Sequence, residues 1–286
     1  MVVEESDVPS ELPGVRYVHL PRQGRGFGYA RNVGVGEAQG DIILFIDDDC
    51  VAEGGWAEAL IEPFHMDPYV LGVAGAVLVT DCGLIGYAEN ILGFPGGGLR
   101  YLDKAHGQVV PTRYLSTCNC AYRRNAVLEV GGFVEGARWG AEDSLLAERI
   151  SALGPCVYTP QAVVYHRPRN SLRANFAWFV RRGQSEIGFM RATPAFWKSV
   201  GYLLRGSLIV RGLALVLLLA MWPGLVRLLP LVVLMYAGVI LWRFRFAAAY
   251  PAHRQALWLV PVVKLTMDLG TEVGRWKAML TRSSLQ

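Results

Sequence analysis

Apolar residues in the first 168 positions fall in short runs separated by glycine and polar clusters. VRYVHL (15–20) has strand length, and IILFI (42–46) is an unbroken apolar run of the kind found in strands covered on both faces. Between them Ala30, Val33 and Glu37-Ala38 suit a helix closed by Gly40. The pattern then predicts a helix from about Trp56 to His65 and a strand over VLGVAGAVLV (70–79). FPGGG (94–98) is a loop, followed by a strand near Tyr114–Tyr122 and a short helix ending at Gly131-Gly132. Glu142–Leu153 reads as helix and Val157–His166 as extended chain. Strands alternating with helices predict an α/β domain with a mostly parallel sheet over 1–168.

After Pro168 the texture changes. Residues 172–191 place Leu172, Phe176, Phe179, Val180, Ile187 and Phe189 among Arg173, Arg181, Arg182 and Arg191. That is the pattern of a basic amphipathic helix suited to an anionic membrane surface, or of a helix packed on a domain with its basic face in water. Two apolar blocks follow, Gly212–Val226 and Leu228–Trp242, separated by Arg227. Each falls short of the roughly 20 residues that span a bilayer. Extension gives two transmembrane helices at about 206–226 and 228–245, within a membrane-associated region over 169–286. Arg191, Lys198 and Arg205 precede the hairpin, and Arg243, Arg245 and Arg254 follow it, which predicts both ends on the cytoplasmic side. A third stretch, Leu257–Val263, is interrupted by Lys264, Asp268 and Glu272 and is expected to lie along the inner surface rather than span.

Composition sharpens this division. The chain of 286 residues is 52% hydrophobic and 18% charged, which excludes a disordered chain. Residues 1–170 carry 13 Lys+Arg against 21 Asp+Glu, a net of −8, whereas 171–286 carry 15 against 3, a net of +12. The basic half is also the apolar half, so a membrane is expected as partner and nucleic acid is not. Five cysteines (Cys50, Cys82, Cys118, Cys120, Cys156) lack CxxC spacing and read as reduced, ordinary thiols.

Two acidic clusters carry candidate chemistry. Asp47-Asp48-Asp49 closes the IILFI run, where open α/β sheets bind ligands. Three adjacent carboxylates repel one another, and Asp47 and Asp49 share a face of an extended segment, so they can offer hard oxygen ligands to Mg2+ or Mn2+. Read alone, the cluster is equally a solvated acidic turn. The second is Glu142-Asp143 at a helix start, where the helix dipole favours carboxylates in any case.

Together the segments are more specific. YARNVGVGEAQGDIILFIDDDC resembles the nucleotide-sugar half of family 2 glycosyltransferases, and TCNCAYRRNAVLEVGGFVEGARWGAEDSLLAERISALG resembles their acceptor half. Both occur in the family's order, over about residues 15–168. The resemblance implies a GT-A type fold and a hexosyltransferase-like activity on a nucleotide-diphosphate sugar, with inversion and a divalent metal, Mg2+ or Mn2+. It implies Asp47 and Asp49 as the ends of a DxD motif at the metal, with Asp49 the more direct ligand. Arg31, Asn32, Asp47 and Asp48 fall on the donor side, and Asp143 is the base that takes the acceptor's proton. Asn119, Arg123 and Glu142 fall on the acceptor side, and His166 matches a histidine common at that strand end, where a structural histidine is an equal reading. The family's usual first strand has no counterpart ahead of MVVEES, so the domain reads as truncated at its N-terminus, with Glu4 and Glu5 where aspartates are usual. No Gln-x-x-Arg-Trp motif follows the Glu-Asp pair, which favours transfer of a single sugar. The expected acceptor is a lipid-linked or cell-envelope glycan, and the expected location is the cell membrane, multi-pass, with the catalytic part cytoplasmic. The competing reading is a catalytically inactive membrane-anchored fragment or scaffold subunit of the same ancestry. A phosphoryl-transfer enzyme is disfavoured by the lack of a P-loop.

Overall fold

The computed structural model describes residues 1–10, 12–136, 140–192, 201 and 207–281. Lys198, Arg205, Arg282 and the first residue of the expected first span, Gly206, lie outside them. The chain forms two compact units, Met1–Leu78 with Pro95–Arg167, and Val79–Phe94 with Pro168–Ser283.

The first unit is built on a six-stranded sheet: β3 (Ile42–Ile46), β7 (Asn119–Arg123), β5 (Gly72–Leu78), β8 (Cys156–His166) and β4 (Cys50–Ala52) in that order, with β6 (Val110–Pro111) also on β8. β1 (Val2–Ser6) and β2 (Tyr17–Pro21) form a separate parallel pair. Within the large sheet only β5 and β8 run parallel, and β7 runs antiparallel to both its neighbours. The sheet is therefore mixed rather than mostly parallel. A run such as IILFI reports burial on two faces, which is the same for either strand direction.

Alternation along the strands divides two cores. Ile43, Phe45, Ala74, Ala76, Cys120 and Tyr122 face one side. There they meet α1 (Phe27–Glu37), α4 (Gly98–Ala105), α5 (Arg124–Glu129) and α6 (Glu142–Leu153) through Val35, Leu102, Val127, Leu146 and Ile150. Ile42, Leu44, Val73 and Ala121 face the other, against Leu60 and Phe64 of α2 (Trp56–Met66). The β5–β8 ladder jumps register between Gly75 and Ala76. Asn119 fills the break: its Nδ2 donates to the carbonyls of Ala76 and Ala162, both at 2.8 Å, and its Oδ1 accepts from Trp56 Nε1 at 2.7 Å. Residue 75 is glycine because a Cβ there would overlap that amide.

In the second unit α3 (Leu84–Ile91) joins the C-terminal helices α7 (Leu172–Ala192), α8 (Leu208–Met221), α9 (Leu229–Arg243), α10 (Pro251–Arg254) and α11 (Val260–Leu280). α7 and α11 pack backbone to backbone. A Cβ at Gly183 would overlap the Thr271 carbonyl, and one at Gly274 would overlap the Val180 carbonyl. The stretch expected to lie along a membrane surface thus begins a 21-residue helix seated on α7, with Val260, Val263 and Met267 buried. Its charges have partners here: Arg275 pairs with Glu186 on α7, and Glu272 accepts from Ser207 and from Trp276 Nε1. Among the described residues one helical segment, Pro223–Arg243, is long and apolar enough to cross a membrane, and α8 is a shorter apolar helix of 14 residues. Both leave large apolar side chains outward, Leu217 and Leu234 among them.

Candidate active site

The acidic end of β3 meets the start of α6 through one cation. Arg31, on α1, donates to Asp47 Oδ1 at 3.3 Å and pairs with Glu142 Oε1. Its guanidinium carbon lies 5.7 and 5.8 Å from the ring centroids of Phe27 and Phe133. Burial works against this cation, but Glu142, Asp47 and Asp143 together outweigh it and raise its pKa. Glu142 is 4% exposed, and its second oxygen is buried without a partner. Burial, reinforced by neighbouring Asp143, raises the Glu142 pKa against the opposing pull of Arg31.

Asp143 follows directly, half-buried in the first turn of α6, its Oδ1 accepting from the Ser144 N–H at 2.7 Å. The residue capping this helix, Ala141, has φ +84°, a left-handed conformation that costs a non-glycine residue roughly 1–3 kcal/mol. That turn leads directly into Glu142, whose carboxylate pairs with Arg31.

The three aspartates have different surroundings. Asp47 is engaged on both oxygens, by Arg31 and by the Cys118 thiol, whose Sγ lies 3.0 Å from Oδ2. The thiol is kept protonated by its contact with Cys50, by burial and by Asp47 itself. Asp48 is exposed. Asp49 Oδ1 lies 3.3 Å from Nε2 of the buried His166, whose Nδ1 is 2.7 Å from the Arg167 carbonyl oxygen. Asp49, Cys50 and His166 each turn a potential ligand atom to a common point, all within 4.8 Å of one another. A carboxylate oxygen and an imidazole nitrogen suit Mn2+ or Mg2+, so the donor set fits a divalent ion at Asp49 and His166, with Asp47 committed elsewhere.

Other expected site residues serve as fasteners. Asn32 donates to the Phe133 carbonyl at 2.9 Å and accepts from the Phe133 N–H at 2.8 Å, pinning the 131–136 loop to α1. Gly28 allows the same approach, since a Cβ there would overlap the Val134 carbonyl. Asn119 and Arg123, read from sequence as acceptor-side, hold the scaffold instead. Asn119 is 1% exposed at the sheet break, and Arg123 donates to the Val70 and Phe64 carbonyls at 2.8 and 3.1 Å. Glu5, at the expected nucleotide turn, accepts from the backbone N–H groups of Gln23 and Gly24, both at 2.7 Å. Cys50 and Cys118, read as ordinary cysteines, stand at the centre of the site. Their only signal is strand pairing: Ile46 opposes Asn119, so the residues just beyond, Asp47 and Cys118, meet at the ladder's end.

A mixed sheet with helices on both faces, and an acidic strand end joined to an acidic helix start, define the GT-A glycosyltransferase fold. Mannosyltransferase PcManGT from Pyrobaculum calidifontis, solved in complex with GDP-Man and Mn2+, superposes over 88% of this chain and 69% of its own with a TM-score of 0.50 at 19% identity. Within that fold, residues 4–131 match the family model Glycosyl transferase family 2. It is similar to the glucosyl-dolichyl phosphate glucuronosyltransferase of Haloferax volcanii, 26% identical over 58% of this chain and 55% of the relative. It is also similar to the pre-mycofactocin glycosyltransferase of Mycobacterium tuberculosis, 29% identical over 63% of this chain and 37% of the relative. The chain therefore spans about half or less of these relatives' length.

Proposed function

We propose that this chain transfers a single sugar from a nucleotide-diphosphate donor to a hydroxyl of a lipid-linked or cell-envelope glycan, with inversion at the anomeric carbon. The observation that carries the reading is the Asp47–Arg31–Glu142 bridge, which ties the acidic strand end to the helix start that presents Asp143. Asp143 Oδ1 is held by Ser144, leaving Oδ2 to take the acceptor's proton as that oxygen bonds to the anomeric carbon and the sugar–phosphate bond breaks. Asp49 and His166 would hold a divalent ion, which supplies positive charge to the departing diphosphate when bound. Arg31 adds fixed charge on the same side, and Asn32 acts by clamping the 131–136 loop.

The two-part division, a catalytic region to about residue 168 and a membrane region beyond it, belongs to the same proposal. Pro223–Arg243 and the shorter Leu208–Met221 form a hairpin with both ends cytoplasmic, where nucleotide sugars are made. A lipid-linked acceptor is supported by the name of the Haloferax relative.

The test is transfer from UDP- and GDP-sugars to polyprenyl-phosphate-linked acceptors by the full chain in detergent, with Mn2+ and with EDTA. Asp143→Asn is expected to lower turnover by about 10²–10⁴-fold while the protein stays folded. Equal turnover in the variant overturns the assigned base. No transfer or donor hydrolysis with any donor supports the inactive scaffold instead.

A further inference from the structure

The Arg167 carbonyl can only accept, so Nδ1 of His166 carries the proton in their 2.7 Å contact. A carbonyl fixing one ring nitrogen is the usual outer support of a metal-binding histidine. It turns the Nε2 electron pair toward Asp49 Oδ1, 3.3 Å away. Two acceptors at that separation repel unless a proton or a cation lies between them. Cys50 stands directly opposite His166 in the antiparallel β4–β8 register, so both side chains leave the sheet on one face. Its sulfur completes a set of three ligand atoms within 4.8 Å, beside an Asp49 side chain that is 43% exposed and open to an incoming ion. Oxygen-loving ions take no advantage of sulfur, whereas thiolate with imidazole and carboxylate is a zinc-class donor set.

We infer that Cys50 is a third protein ligand at this centre, giving it a preference for a thiophilic divalent ion of the zinc class over Mg2+ or Mn2+. This rests on the reading of Asp49 and His166 as an ion site. Ligation converts the Cys50 thiol to thiolate and releases its proton to solvent, one per ion bound. Cys118, whose Sγ lies 3.0 Å from Asp47 Oδ2, is outside this set of three ligand atoms.

Titration of the full chain in detergent with Co2+, a spectroscopic stand-in for Zn2+, tests this. Equilibrium dialysis measures binding in parallel. Wild type is expected to show a near-ultraviolet thiolate-to-cobalt charge-transfer band and release of a proton. Cys50→Ser should lose the band yet still bind Co2+ through Asp49 and His166, whereas Cys118→Ser should keep it. Zn2+ should displace bound Mn2+ from wild type much more readily than from Cys50→Ser. Co2+ bound to wild type without the band, or a band that survives in Cys50→Ser, overturns the role of Cys50. Co2+ binding indifferent to both Asp49→Asn and His166→Ala overturns the ion site itself, and this proposal with it.

Discussion

Replacing Arg31 with glutamine strands Glu142. The carboxylate is 4% exposed, one of its oxygens already lacks a partner, and Arg31 supplies its only cation among the described residues. Leaving a buried charge unpaired costs about 3–5 kcal/mol. The chain can avoid this by protonating Glu142. From the ordinary value of 4.5, protonation at pH 7 spans 2.5 units, a ceiling of about 3.4 kcal/mol. At pH 5 the same step costs about 0.7 kcal/mol. Arg31→Gln should therefore destabilise the first unit by roughly 3 kcal/mol at pH 7 and by under about 1 kcal/mol at pH 5. The sign follows from linkage. With its folded pKa raised above the unfolded one, Glu142 binds more protons in the folded state, so the variant loses stability as pH rises. Thermal unfolding of wild type and variant, followed by near-ultraviolet circular dichroism at half-unit steps from pH 5 to 7.5, measures the difference. Adding Glu142→Gln should remove the pH dependence. A penalty for Arg31→Gln that is flat across this range would refute the argument that Glu142 is the group left behind.

Three further outcomes follow from particular contacts. Asn119→Ala leaves the carbonyls of Ala76 and Ala162 buried without donors, at about 1–3 kcal/mol each, so denaturant unfolding should show a loss of several kcal/mol; a change under 1 kcal/mol would return Asn119 to the acceptor side. Burial pushes the pKa of His253 from 6.5 down to about 4. Because the unfolded chain takes up a proton the folded one refuses, stability present above pH 6.5 should fall by up to about 3 kcal/mol as pH drops to 4. His253→Gln should flatten that slope in a pH series of melting temperatures. Gly274→Ala drives a methyl group into the Val180 carbonyl and should cost about 1–3 kcal/mol, seen as early proteolysis of the α7–α11 pair.

Much of the fold was legible because burial leaves a local trace. IILFI, Glu142–Leu153 and Leu172–Arg191 appear in the structure within a residue or two of their expected bounds. Strand direction was not legible, since burial on both faces is indifferent to it. The site divides along the same line. Asp47, Asp49, Arg31 and Asp143 stand out as charges next to apolar runs; in the structure Arg31 joins Asp47 to Glu142, the neighbour of Asp143, while Asp49 stands beside His166. Asn119 and Arg123 stand out equally as polar residues in an apolar strand. Whether such a residue serves a substrate or a broken ladder depends on a register shift between β5 and β8, more than 80 residues apart in sequence. The cysteines gave no trace, because a thiol reads as apolar until pairing sets it beside a carboxylate.

Among the described residues the chain passes between the two units three times, after Leu78, Phe94 and Arg167. The 79–94 segment is made early but finds its partners late. Glu89 pairs with Arg169, 80 residues onward, and Asn90 accepts from His253, 163 residues onward. At about 5–20 residues per second, a ribosome reaches those partners roughly 4–16 and 8–33 s after the segment itself. During that interval α3 hangs from nascent chain as an unmatched apolar strip, exposed to chaperones and to any nearby lipid surface. A gene cut at codon 168 makes that interval permanent. A stable fragment of the first unit therefore calls for excision of 79–94 with a short bridge from Leu78 to Pro95, not for a single stop codon.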